Sequence, residues 1–263
     1  MKTYQVGGSV RDELLGVEPH DKDWVVVGSS PEEMIEAGFK PIGKDFPVFL
    51  HPDTKEEYAL ARTERKSGKG YHGFKFYYDP SVTLEDDLLR RDLTINAIAK
   101  DGQGKLIDPF NGQDDLFNKK LRNVSDAFCE DPLRAIRLGR FLSYKHISDF
   151  SITSQLKAIV KKILDSGELN YLSGDRVFAE IDKAMQNHFP EKFFNFVVEN
   201  KLDKPWLKDI NSLDSFSATS SDLRWVELSC LNHFTDFDRI PLPRNIRKLI
   251  SLAKQLANIE IDN

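Results

Sequence analysis

At 263 residues the chain can bury a core of its own and could hold one large domain or two to three small ones. A hydrophobic share of 40% beside 30% charged residues is that of a globular protein, and no apolar run approaches the ~20 residues a membrane span needs. The net charge of −5 argues mildly against a nucleic-acid partner, and Cys129 and Cys230 fit no metal-ligand spacing; with a strand rather than a secretory leader at the start, the expected setting is the cytoplasm.

Residues 4–6 read as a strand running into Gly7-Gly8, where the backbone can approach a ligand without hindrance from Cβ. Ser9 is expected to cap a helix over 10–15, whose first amides and dipole favour a phosphate. Arg11, in that first turn, opposes the dipole and so points to an anion. Asp21-Lys22-Asp23 then opens the apolar run 24–27. On a strand, alternate residues share a face, so Asp21 and Asp23 are expected to converge. Two carboxylates held that close repel unless a divalent cation lies between them, and Mg²⁺ selects oxygen ligands. Taken singly, Gly-Gly is a plain turn and Asp-x-Asp a solvated loop. In sequence they outline a phosphate cradle beside a metal-binding pair, as nucleotidyl transfer requires.

A helix over 31–37 follows, capped at Ser30, then strands over 48–51 and 57–61, with Glu57 a candidate third metal carboxylate. Residues 63–76 are basic and glycine-rich and read as a mobile loop. In Leu89-Arg90-Arg91-Asp92-Leu93-Thr94-Ile95-Asn96-Ala97, Asp92 is expected to cap a helix over 93–99, leaving Arg91 just outside its N-terminus. Asn111-Gly112 marks a tight turn and a natural hinge.

Beyond Ser125 the strand signals largely stop. Helical period and capping appear over 132–144, 153–164, 176–187, 190–200 and finally 243–257, with 211–222 as a loop. Pro132 at a first helical position makes Asp131 a natural N-cap. Arg134, Arg137 and Arg140 recur every third residue and are neighbours on the helix surface. Stacked arginines without interleaved acids repel, so the stripe is expected to face an anion.

The segments 6–23, 57–73, 90–97, 108–115 and 130–141, with the weaker 174–184, together resemble the class II tRNA nucleotidyltransferases, or CCA-adding enzymes, with the bacterial poly(A) polymerases as close kin. The resemblance implies an α+β protein: a polymerase-β-like head of mixed sheet and helices over 1–125, a helical neck carrying a base template over 126–190, and a short helical body and tail over 191–263 that contacts tRNA. It implies that Asp21 and Asp23 are catalytic and ligate Mg²⁺, while Gly8 and Arg11 hold the triphosphate. Arg91 and Asp92 would read the ribose, Asp131 and Arg134 would template the incoming base, and Arg137 and Arg140 would complete the nucleotide pocket. The implied substrates are CTP and ATP, and the implied partner is the 3′ end of tRNA.

The chain departs from that pattern in places. Ser9 stands where many members have alanine, and Gly174-Asp175-Arg176 replaces a Glu-Arg pair. The stretch after the neck is shorter than bacterial relatives carry, and no appended phosphohydrolase motif is present. A poly(A) polymerase, or an enzyme adding part of CCA, shares the same site. A non-enzymatic RNA-binding relative is opposed by Asp21, Asp23, Arg91 and Asp131, since a binding module has no need of paired metal ligands.

Overall fold

Adjacent valines show how the sheet of the first half is built. Val25 packs with Val6, Leu88 and Ala97 on one face, and its neighbour Val26 with Met34, Phe49 and Tyr58 on the other. Both faces are covered, which is why residues 24–27 read as a continuous apolar run. The computed structural model describes residues 1–42, 48–66, 74–204, 206–207, 210, 213–232 and 237–261. They form two compact units, Met1–Glu130 with Ser151–Ile159, and Asp131–Phe150 with Val160–Asn263.

The first unit opens with β1 (Lys2–Val6), α1 (Gly8–Leu14), β2 (Asp23–Val27), α2 (Pro31–Glu36), β3 (Lys40–Pro41), β4 (Val48–Leu50) and β5 (Glu57–Leu60). It continues through β6 (Arg62–Lys66), β7 (Phe74–Tyr78), α3 (Leu84–Leu89), β8 (Ala99–Asp101), β9 (Leu106–Ile107), α4 (Gly112–Phe117) and β10 (Lys120–Leu121). Seven strands make one mixed sheet in the order β3-β4-β5-β2-β1-β8-β9. The β2–β5 pair is parallel and sets Asp23 opposite Glu57, while β1 and β2 run antiparallel and set Val6 opposite Asp23.

Where the local signal was strong, the elements stand as the sequence predicts. Ser30 caps α2 through a reciprocal box with Glu33. Three readings are corrected. Ser9 is no cap: α1 starts two residues earlier, at Gly8 after Gly7 with φ 77°, and the Ser9 hydroxyl donates to the Val6 carbonyl at 3.1 Å. Asp92 caps no helix over 93–99; a 3₁₀ turn over Thr94–Asn96 gives way to β8. The flanks of the expected loop 63–76 are strands, β6 and β7 pairing Thr63 with Tyr77 and Lys66 with Phe74, and residues 67–73 of that loop lie outside the described ones. Also missed was α3, announced by its own capping box between Thr83 and Asp86.

Asn111-Gly112 proves to be a packed junction rather than a hinge. Asn111 takes the left-handed conformation and Gly112 begins α4. A Cβ on Gly112 would lie 2.3 Å from the Thr94 carbonyl oxygen and 2.8 Å from Ile98 Cγ1. Gly112→Ala is therefore expected to reduce unfolding free energy by about 1–3 kcal/mol, the usual effect of overpacking, as read by urea denaturation. An unchanged midpoint would show that the backbone yields there freely.

The second unit holds α5 (Leu133–Ser143), α7 (Gly174–Gln186), α8 (Pro190–Glu199), α9 (Ser221–Leu231) and α10 (Arg244–Ile261). β11 (Ser151–Ile152) pairs in parallel with β10 in the first unit, an addition to the all-helical reading of this part of the chain, and is followed by α6 (Ser154–Ser166). Ile136, Val177, Ile181, Phe193 and Val197 are buried, so α5, α7 and α8 share a core. Gly139 admits α8 closely, since a Cβ there would meet Phe196 at 3.0 Å. The helix α9 begins inside the stretch 211–222 that the sequence assigns to a loop. No helix of the described residues is long and apolar enough to cross a membrane.

Candidate active site

The site residues of the first unit gather at the ends of β1, β2 and β5. Asp21, Asp23, Glu56 and Glu57 line a cleft of about 470 Å³ together with Lys22 and Lys55. Glu57 is there because β5 pairs with β2 in register, whereas Glu56 is engaged by the Trp24 indole, which donates to it at 3.0 Å. Asp21 and Asp23 do not sit on one strand as the spacing predicts. β2 starts at Asp23, and Asp21 precedes it in a bend, exposed, with His20 Nδ1 at 3.0 Å from its carboxylate. They share the cleft instead of a strand face.

Gly7 lies between Asp23 and Arg91. A Cβ on it would stand 3.0 Å from Arg91 Nη1 and 3.9 Å from Asp23 Oδ2, so the absence of a side chain keeps open the space between a guanidinium and a carboxylate. At Gly8 the neighbour is Arg11, whose Nη2 would be 3.3 Å from a Cβ. Arg11 is buried and already engaged: Asp12 accepts from its Nε at 2.8 Å and Asn96 Oδ1 from its Nη1 at 2.7 Å. Asp12, in the same turn, supplies the negative charge that the sequence argument left to an anion. Asn96 also donates to Asp92 Oδ1 at 3.0 Å, and Leu93 N–H donates to the same oxygen at 2.8 Å. Asn96 therefore joins the two motifs, Arg11 from one and Asp92 from the other. Sequence reasoning passed over it, although its spacing of four from Asp92 was visible.

The cleft suits a hard divalent cation. Its donors are carboxylate oxygens in a polar, open space, and Mg²⁺ is commonly held by one or two carboxylates with the remaining positions filled by water and substrate phosphates. Among the described residues no group of three His, Cys, Asp or Glu side chains is placed to hold a metal ion.

The second unit carries the other predicted residues on and before α5. Asp131 accepts from the Leu133 N–H at 3.2 Å through Oδ1 and from Arg176 Nη2 at 2.8 Å through Oδ2. It therefore serves the helix start as expected, although the assigned cap position falls on Pro132. The arginine stripe is not free of acids. Glu180 of α7 accepts from Arg137 Nη1 at 3.2 Å and from Arg140 Nε, and Arg140 also donates to the Tyr144 hydroxyl at 2.6 Å. Arg140 is buried, and Arg134 and Arg137 are half-buried. The pairing across helices was readable in principle: Arg176 and Glu180, one turn apart on α7, complement Asp131 and Arg137/Arg140 in the same order.

Residues 3–122 match the family model described as the poly A polymerase head domain. The chain is 57% identical over 199 residues to a CCA-adding enzyme of Marinobacter nauticus, covering 76% of this chain and 53% of that one. It is 59% identical over 213 residues to a multifunctional CCA protein of Acinetobacter baumannii, covering 81% and 52%. The chain thus spans about half the length of the curated relatives it matches. Its fold is that of the Bacillus stearothermophilus CCA-adding enzyme solved in complex with CTP, with a TM-score of 0.80 at 24% identity over 97% of this chain and 66% of that one.

Proposed function

We propose, from its likeness to the tRNA nucleotidyltransferase/poly(A) polymerase family, that the chain adds C, C and A to the 3′ end of tRNA in the cytoplasm, from CTP and ATP and without a nucleic-acid template. The observation that carries the reading is the cleft in which Asp21 and Asp23 lie beside the glycine-floored gap to Arg91. The terminal ribose hydroxyl attacks the α-phosphate in line; the new bond is oxygen to Pα, and the bond from Pα to the bridging oxygen breaks, releasing pyrophosphate. Asp21 and Asp23 would hold Mg²⁺, which supplies activation of the hydroxyl and neutralisation of charge on the leaving group. Gly8 lets the triphosphate approach the backbone, and Arg11 and Arg91 supply positive charge against it. Asp92, with Arg91, reads the ribose.

Base choice falls to Asp131 and Arg134, with Arg137 and Arg140 completing the pocket. CTP and ATP each present an exocyclic amine beside a ring nitrogen acceptor. A carboxylate accepts from the amine and a guanidinium donates to the nitrogen. UTP and GTP put a carbonyl where the amine would be, so acceptor meets acceptor, a mismatch of about 1–3 kcal/mol when buried. Arg176 and Glu180 support the reading by fixing Asp131 and the arginines of α5 in place. In functional terms residues 1–125 act as head, 126–190 as neck and 191–263 as body and tail. Transcripts of tRNA ending before CCA, after C and after CC, each offered all four nucleotides, test the proposal. The expected result is extension of each to CCA and no further; a long A tract on any of them would mark a poly(A) polymerase, and a stop after CC an enzyme of partial activity.

A further inference from the structure

We infer that Asp87 is the positioning residue that aims Arg91 at the nucleotide, and that its other oxygen fastens the same carboxylate to the hairpin β6–β7. This rests on the reading of Arg91 as a nucleotide contact. Asp87 lies in the short helix α3 and is wholly buried. Its Oδ2 accepts from Arg91 Nη2 at 3.1 Å. Its Oδ1 accepts from Arg90 Nη2 at 2.7 Å, from Arg90 Nε at 3.1 Å and from the Arg62 N–H of β6 at 3.3 Å. Arg90 carries the connection onward, donating to Glu64 Oε1 at 2.8 Å and to the Arg62 carbonyl at 3.1 Å. The hairpin and Arg91 therefore divide one carboxylate between them.

Among the described residues, the cluster sets the guanidiniums of Arg62, Arg90 and Arg91 against the carboxylates of Glu64 and Asp87. Burial would push the Asp87 carboxyl up, but Arg90 and Arg91 outweigh it and hold the group below the usual carboxylate range. Burial, and then the charge of Arg90, lower Arg62 to about 10. Arg91 Nη1 donates to the Asn96 carbonyl at 3.4 Å and borders the space above Gly7, and its Nε is buried without a hydrogen-bond partner. A guanidinium pinned at one end by Asp87 presents its remaining donors in a fixed plane, the arrangement that suits phosphate or ribose oxygens. Positioning of this kind acts on affinity through geometry, since a shift of about 1 Å at a contact is enough to weaken it.

The test compares CTP affinity by calorimetry, with kcat and KM for C addition, in wild type, Asp87→Asn, Arg91→Ala and the double variant. Each is measured where circular dichroism shows it folded. Asp87→Asn keeps the shape and removes the charge. CTP and ATP should bind about 10- to 100-fold more weakly, the scale on which supporting partners of a site act, with KM changed more than kcat. In the Arg91→Ala background the same substitution should be silent, because the two act as a unit. Unchanged CTP affinity in Asp87→Asn, or an undiminished loss in the Arg91→Ala background, overturns the inference. A wild-type protein that binds no CTP would instead overturn the function proposed above. Should Asp87→Asn fail to fold, Glu64→Gln tests the same cluster from its rim: Arg90 then leans harder on Asp87 and loosens Arg91, with a several-fold loss of CTP affinity that Arg91→Ala abolishes. Wild-type affinity in Glu64→Gln would overturn the link to the hairpin.

Discussion

Asp21→Ala and Asp23→Ala, each alone, are expected to lower nucleotide incorporation by about 10³-fold or more while leaving the unfolding midpoint unchanged. The size follows from removing a group that acts directly on charge developing at the reacting phosphate. The stability expectation follows from exposure: both side chains lie on the surface, where substitutions usually move unfolding free energy by less than about 0.5 kcal/mol. Glu57→Ala grades the third carboxylate, which pairs in register with Asp23 but is named by no separate motif. The measurement is single-turnover addition of C to a transcript lacking CCA, beside urea denaturation of the same samples. Turnover like wild type in a folded double variant would end the reading of this cleft as the catalytic centre.

Arg134→Ala is expected to blur the choice among nucleotides, reducing the preference for CTP over UTP and for ATP over GTP by about tenfold or more, with the triphosphate contribution kept. Arg11→Ala should do the reverse and weaken all four nucleotides alike. That variant also carries a stability penalty, because Asp12 and Asn96 lose the partner they share in a buried place. Affinities are therefore to be compared at a temperature where both variants remain folded. Steady-state competition between correct and incorrect nucleotides gives the ratio directly. If the two variants lose every nucleotide in the same proportion, Asp131 and Arg134 are not the template.

What was legible in the sequence divides along local and non-local lines. Ser30 with Glu33, and the periodicity of α5, α7 and α8, are set within a few residues, and those elements appear within two residues of the expected bounds. The turn after Arg91 misled for the opposite reason. Leu93-Thr94-Ile95-Asn96 has the look of a helix start, but the Thr94 N–H donates to the Arg122 carbonyl at 2.9 Å and its hydroxyl to Asp115 at 2.6 Å, partners more than twenty residues away that hold the chain to a single turn. The strand β6, Arg-Thr-Glu-Arg-Lys, lacks the apolar alternation that marks a half-buried strand, so its pairing with β7 left no signal to read. Asp21 and Asp23 were singled out by their spacing, and they do line one cleft, though not from the shared strand face that the spacing implies. Glu180 was overlooked because its charge answers arginines forty residues earlier in the chain.

The bond from Arg11 to Asn96 joins positions 85 apart in sequence. Closing a chain loop of that length sacrifices about 4 kcal/mol of conformational freedom, which a single hydrogen bond does not recover. The bond therefore depends on other contacts to bring its ends together, among them the pairing of β1 with β8. In synthesis Arg11, Asp21 and Asp23 all emerge well before Arg91 and Asn96, so a chain ending short of Asn96 carries the two carboxylates without the bond that ties Arg11 in place.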